Sequence, residues 1–315
     1  MNASSATPHA PARRNPGPSW GYRFLRAADR VLPERIYKPL RALGTLIAMT
    51  RMPAERRHSR EYLSIVLGRR PAWREVFRHF FAFEEMLMDR LRVAGGRDYR
   101  TTFGPDTADF KAWLEHGGRV LIGSFHVGAS DLQGCQIGGY EHLAVRIVRQ
   151  RVGNSHDTDK LAERFGERLK FIWINEPQEA LYALKVAADS SAAIVMHCDR
   201  VEFSARTAAF EFLGARRLFP VTIYNLALIF NRPVILAVGM PSGPAAAVLH
   251  ASPRFDPVEG EPRAAAMRRA HAHFQAFLGR LEALLHSDPW QWFNFIPLNP
   301  VAEGAAAGGQ GGENR

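Results

Sequence analysis

Cysteine is nearly absent. The 315 residues contain two, Cys135 and Cys198, each within an apolar run and neither in a Cys-x-x-Cys metal spacing. That excludes a disulfide framework and leaves the expectation of buried free thiols in a reducing compartment. Long apolar runs are also missing. The longest uncharged one in the N-terminal third, Ala42 to Thr50, is closed by Arg41 and Arg51. It reaches about half of the ~20 residues a bilayer span requires. Arg13-Arg14 leads into Asn15-Pro16-Gly17-Pro18 rather than an apolar stretch, so no secretory signal is expected. Acidic residues are scarce in one part only. Residues 1–100 hold 20 Lys and Arg against 9 Asp and Glu, whereas residues 101–315 hold 21 against 22, so the formal net charge of +10 originates in the first third.

What is present is an ordinary globular composition, 46% hydrophobic and 23% charged. In the basic third, cations interleave with Trp20, Tyr22, Phe24 and Leu25, and then with Leu40, Leu43, Leu46, Ile47 and Met49. Such mixing favours a membrane interface over a phosphate groove, so nucleic acid is not expected as a partner. The chain is expected on the cytoplasmic side of a membrane, held peripherally or monotopically.

Four segments follow from composition and periodicity. Residues 1–18, rich in Ala, Pro, Ser and Asn, and the glycine-rich 301–315 are expected to be disordered. Residues 19–100 form a basic helical, membrane-proximal segment. Its clearest helices are 54–68 and 72–92, each introduced by a proline, Pro53 and Pro71. Phe77, Phe80, Phe81 and Phe83 in the second serve as core or, alternatively, as the wall of an apolar groove. Residues 101–300 alternate strands (119–125, 143–149, 169–174, 192–197, 233–239) with helices (106–116, 129–139, 156–167, 177–189, 219–231, 261–286). This is an α/β pattern: a mostly parallel central sheet with helices on both faces.

Three histidines carry an acid five positions on: His79/Glu84, His126/Asp131 and His197/Glu202. The first pair falls on a helix, where five residues turn the side chains about 140° apart. The third follows an apolar run but continues Cys198-Asp199-Arg200 with no glycine. His126 alone sits between Gly123 and Gly128, which permit a sharp strand-to-helix turn. An imidazole with a carboxylate to orient it, at the exit of a buried strand, is a general base that can deprotonate a hydroxyl or amine for attack on an activated acyl group. In this type of sheet, sites lie at the carboxyl ends of strands, where His126, Arg149, His197 and Asp199 all fall. His197-Cys198-Asp199 could supply metal ligands, but adjacent strand residues face opposite ways, so no metal is expected there.

Further stretches extend the pattern. They are Val66-Leu67-Gly68-Arg69-Arg70-Pro71 before the aromatic helix, Met196-His197-Cys198-Asp199-Arg200 followed by Phe210-Glu211-Phe212-Leu213-Gly214, and Trp290-Gln291-Trp292-Phe293-Asn294-Phe295. With the His-x4-Asp block, residues 55–297 resemble the bacterial lipid A late acyltransferases (lauroyl/myristoyl acyltransferase family) of the lysophospholipid acyltransferase superfamily. The resemblance implies transfer of a fatty acyl group from acyl carrier protein or acyl-CoA to a hydroxyl of a lipid or glycolipid at the inner membrane, with no cofactor. It implies His126 as general base and Asp131 as its orienter. It also implies substrate contacts from Arg149, Asp199 and Arg200. Two features depart from the family: there is no N-terminal membrane anchor beyond the short run near 42–50, and Asn294-Phe295-Ile296-Pro297 replaces a terminal basic cluster. That ending is similar to a branch of acyltransferases found in aryl-polyene and related pigment-lipid gene clusters.

On the residues themselves, the amides from Gly128 to Ser130 are expected to steady an oxyanion. Two rivals stay open. A serine hydrolase would use Ser124 or Ser130, although neither lies in a Gly-x-Ser-x-Gly elbow. A non-enzymatic basic binding protein would account for the first third but not for the His126 turn.

Overall fold

A computed structural model describes residues 19–130, 132, 139–151, 156–204 and 206–302. Four helices come first: α1 (Ser19–Val31), α2 (Glu34–Arg51), α3 (Pro53–Leu67) and α4 (Trp73–Ala94). Pro53 opens α3 at a position where its missing N–H costs nothing, and Gly68, at φ +65°, closes it with its N–H on the Ile65 carbonyl. Glu75, in the first turn of α4, reaches back to accept the Ala72 N–H at 2.7 Å and is itself held by Arg69.

Strands and helices then alternate: β1 (Arg100–Phe103), α5 (Ala108–His116), β2 (Leu121–Ser124), β3 (Val145–Arg149), α6 (His156–Phe165), β4 (Leu169–Trp173), α7 (Pro177–Asp189) and β5 (Ala193–His197). A separate two-stranded antiparallel hairpin follows, β6 (Thr207–Phe212) and β7 (Ala215–Pro220). The chain ends with α8 (Thr222–Phe230), β8 (Val234–Gly243), β9 (Ala246–Ala251), α9 (Arg263–Ser287) and the aromatic segment 290–295.

The fold is mixed α/β. Seven strands make the central sheet in the order β1-β9-β8-β2-β5-β3-β4, parallel at every pair except β8–β9. Consecutive strand residues enter different cores, as the two-residue period demands. Leu121, Leu236 and Val238 join one cluster with residues of α3, α4, α7, α8 and α9. Ile122, Ile235 and Ala237 join a second with Phe110, Trp113 and Leu114 of α5 and Leu161 and Phe165 of α6. The first two helices pack on α4, and Met49 of α2 reaches the first cluster. Leu25, Ala28, Leu32 and Tyr37 make a small cluster against Met88 and Leu91 of α4. Fully buried Arg232 fixes the approach to β5: its guanidinium donates to the carbonyls of Ala187, Ala188 and Ala192, closing the α7–β5 turn.

The expected strands stand within two residues of their predicted starts. Four others have no counterpart in the sequence pattern. β1 and β9 sit at one end of the sheet's strand order, and β6 and β7 form the separate hairpin. Of the expected helix 129–139, residues 131 and 133–138 lie outside the described residues, as do 1–18 and 303–315, so Cys135 is not described. Phe80 and Phe83 of α4 take the core role. They pack at 4.8 and 5.4 Å on Phe295, while Phe81 stacks on Phe77. No helix among the described residues is long and apolar enough to cross a membrane.

Candidate functional site at the carboxyl ends of β2 and β5

The two central strands β2 and β5 run parallel, with Ser124 in register with His197 and the Cys198 N–H donating to the Ser124 carbonyl at 2.8 Å. Two residues past β2 comes His126, and two past β5 comes Asp199. Shared register and equal overshoot bring them together. His126 Nδ1 lies 2.9 Å from Asp199 Oδ1, and the His126 backbone N–H donates to Oδ2 at 2.7 Å. Asn294, from the aromatic C-terminal segment, donates through Nδ2 to the same Oδ2 at 2.7 Å. Its Oδ1 accepts the Arg200 Nε–H at 2.8 Å. The amide orientation is set by these two partners, one anionic and one cationic.

Asp199 is completely buried. Burial pushes its carboxyl up, but His126, His197 and Arg200 around it outweigh that and hold it below the usual carboxylate range. It therefore stays ionised and takes the His126 Nδ1 proton as an acceptor, which leaves Nε2 carrying the basic lone pair. Burial lowers the imidazole to about 4 against the opposing pull of Asp199, and His197 and Arg200 push it the same way as burial. His126 is thus neutral at physiological pH, and its side chain keeps 22% of its surface exposed, enough to meet a ligand. The His197 ring stacks on one face of it, centroids 3.9 Å apart and planes 20° from parallel.

That stack decides a second question. His126, His197 and Asp199 bring potential metal-ligand atoms within 4.8 Å of one another. A metal lies in the plane of each imidazole that binds it, at about 2.0–2.1 Å from the nitrogen. Two nearly parallel rings with centroids 3.9 Å apart share no such point, so chelation by both requires one to turn out of the stack.

Beyond His126 the chain makes a tight turn fixed by backbone contacts. The Gly128 N–H donates to Gln291, the Ala129 N–H to Gly239 and the Ser130 N–H to Val127, at 2.8, 2.8 and 3.0 Å. Phe293 donates in turn to the His126 carbonyl at 2.7 Å. Gly128 has φ +48°, and a Cβ there would stand 2.4 Å from the Gly239 carbonyl oxygen, a backbone atom that cannot swing aside. Gly128→Ala is therefore expected to cost roughly 2–4 kcal/mol, visible as a lowered thermal midpoint. An unchanged midpoint would mean that the turn does not make this contact. Gly123 serves differently from the sequence expectation. It sits inside β2, where a side chain would strike Leu236 at 2.5 Å, so it is needed for space and not for the turn.

The structure redistributes the expected site residues. His126 is at the centre. Asp131 lies outside the described residues; among the described residues Asp199 places a carboxylate on His126. Asp199, a substrate contact on the resemblance, is fully buried here and holds the His126 ring. The amides of Gly128 to Ser130 do not form an oxyanion site, because all three are already donated within the turn. The Ser130 hydroxyl is engaged as well, donating to Val127 at 2.5 Å and accepting from Gly239. Ser124 is buried and its hydroxyl forms no hydrogen bond among the described residues. Arg149 ends β3, the strand beside β5, so its backbone stands in the same row of strand ends as His126 and Asp199. Arg200 is tied to the site through Asn294.

Two members escape the sequence reading. His197 lacks a following glycine, yet its strand neighbours that of His126. Asn294 stands out in the sequence only as a departure from a family ending. The available signal is that both His-x4-acid matches leave apolar strands, and that His197 and Asp199, two apart, share a face. The third match, His79, is a buried structural residue. Ser59 Oγ donates to its Nδ1 at 2.8 Å and its Nε2 donates to the Trp292 carbonyl at 2.6 Å, tying α3 and α4 to the segment that carries Asn294.

No family model matches the chain, and a search of curated proteins finds no match.

Proposed function

We propose that this protein is an acyltransferase that moves a fatty acyl group from an acyl carrier protein or coenzyme A thioester to a hydroxyl of a lipid or glycolipid. The observation that carries the reading is the partly exposed, neutral His126 held at 2.9 Å by buried, ionised Asp199 at the carboxyl edge of a parallel sheet. The acceptor O–H gives its proton to His126 Nε2 as its oxygen attacks the thioester carbonyl. The tetrahedral oxyanion then collapses, the C–S bond breaks, and the proton passes from Nε2 to the departing sulfur. The ester forms and the thiol leaves with no acyl-enzyme and no cofactor. Arg149, which ends the neighbouring strand β3, and Arg200, bonded to Asn294, are assigned to donor phosphates.

A serine hydrolase is disfavoured because Ser130 is locked in the turn and Ser124 makes no hydrogen bond to His126. A purely binding role leaves the buried charge under His126 unexplained, since such a group costs stability unless it serves a site. We further assign the enzyme to the cytoplasmic face of the bacterial inner membrane, with the N-terminal helices as its membrane-associating segment.

Lipid mass spectrometry of a deletion strain against wild type tests the reaction. The expected result is a lipid lighter by one acyl chain, whose parent mass identifies the acceptor. Identical lipids, together with no thiol release from acyl carrier protein or coenzyme A thioesters over a wild-type lipid extract, overturn the reading.

A further inference from the structure

Helix α2 is built inside out. At 100° per residue, Ile36, Leu40, Leu43 and Ile47 fall within about 60° of one another on one face. They face outward and are 46–55% exposed. The opposite face, Tyr37, Arg41, Thr45 and Met49, is the buried one. A helix on a water-soluble body turns its apolar stripe inward. Tyr37 and Met49 pack inward on apolar clusters, and ion pairs fasten the rest. Arg41 bonds Glu84 of α4 and Glu34 at 2.8 and 2.6 Å. Arg92 of α4 bonds Asp29 of α1 and Glu34, both at 2.6 Å. Lys38 reaches Glu85 at 2.7 Å and Arg97 reaches Asp29 at 3.0 Å. On α1, Phe24 and Val31 are exposed as well. Exposed Arg30, Arg35 and Arg51 stand on the same two helices, in a stretch with a large excess of positive charge.

We propose that the α1–α2 pair lies flat in the headgroup region of an anionic bilayer, with Phe24, Ile36, Leu40, Leu43 and Ile47 turned into the lipid. The charge argues for lipid over a second copy of the chain, since apposing two such basic faces is repulsive, whereas an anionic surface supplies the counter-charge. The pair lies in the plane because neither helix is long and apolar enough to cross. The ion-pair clamp lets the apolar face enter the lipid without the pair leaving α4. This deepens the proposed lipid-modifying reading by naming the surface that meets the membrane. It is measured without turnover, so its failure leaves the chemistry at His126 standing, and an inactive His126 leaves this surface standing.

The test is co-sedimentation of the purified full chain with vesicles of phosphatidylcholine alone or mixed with phosphatidylglycerol, beside light scattering of the protein without lipid. The expected result is binding to the mixed vesicles, weakened by salt and by Arg35→Glu with Arg51→Glu. Leu40→Glu with Leu43→Glu, both at exposed positions, should lower it about tenfold or more with the thermal midpoint unchanged. Absence of binding to anionic vesicles, or equal binding by the leucine variant, overturns the proposal. So does a wild-type dimer that the leucine variant turns into a monomer, which would give the face to a second copy.

Discussion

On the proposed reading, Asp199→Asn should lower acyl transfer by about 10²–10⁴-fold, close to the loss expected from His126→Ala. The expectation rests on which groups the carboxylate serves. Its oxygens accept three N–H groups, from His126 N, His126 Nδ1 and Asn294 Nδ2. An amide has one accepting oxygen. Whichever way the substituted amide turns, its NH2 faces at least one of these donors, and the Nδ1–H tautomer that leaves Nε2 basic loses its anionic support. Substrate affinity should move little, because buried Asp199 touches no substrate, and the loss should fall in kcat. The double variant should be no worse than either single one, since the two residues act as a unit. Retention of full activity by either variant, with the fold intact by thermal melting, removes His126 from the chemistry. Arg200→Lys is a milder control: it keeps the charge but not the Nε–H that orients Asn294.

The strand exits are legible in the sequence because β2, β3, β4 and β5 are short apolar runs bounded by helices, and the two-residue period needs no partner to be read. β6 and β7 are harder. Residues 207–212 do alternate, but the following Leu213-Gly214 turn, with both residues at positive φ, marks a hairpin only once leucine is allowed there. The contact with Asp199 is not legible at all. His126 and Asp199 are 73 positions apart and meet only because β5 inserts between β2 and β3 in the sheet, a pairing that no local spacing encodes. Asn294 is more remote still, delivered by a segment that bonds to the His126 turn through Gln291 and Phe293. Local pattern finds His126, and sheet order brings Asp199 to it.

The same burial that keeps the base ready makes the fold sensitive to acid. His126 and His79 are both lowered to about 4 by burial, from an ordinary value of 6.5. Above pH 6.5 both are neutral, folded or unfolded, and nothing is lost. Between 6.5 and 4 the unfolded chain takes up protons that the folded chain refuses, so stability falls as pH falls. Each shift corresponds to about 3 kcal/mol, complete near pH 4, a large part of the 5–15 kcal/mol typical of a domain. Denaturant melts from pH 7 to 4.5 should therefore show a steep decline. His79→Phe, weaker at pH 7 because Ser59 and the Trp292 carbonyl lose their partner, should decline less steeply. Turnover behaves differently in the same window. A base titrating near 4 stays unprotonated, so kcat/KM holds level from pH 8 down to about 5 and then drops with unfolding. An acid limb near 6.5 in a protein still folded by circular dichroism would mean that His126 is solvated rather than buried, and the site would have to be redrawn around it.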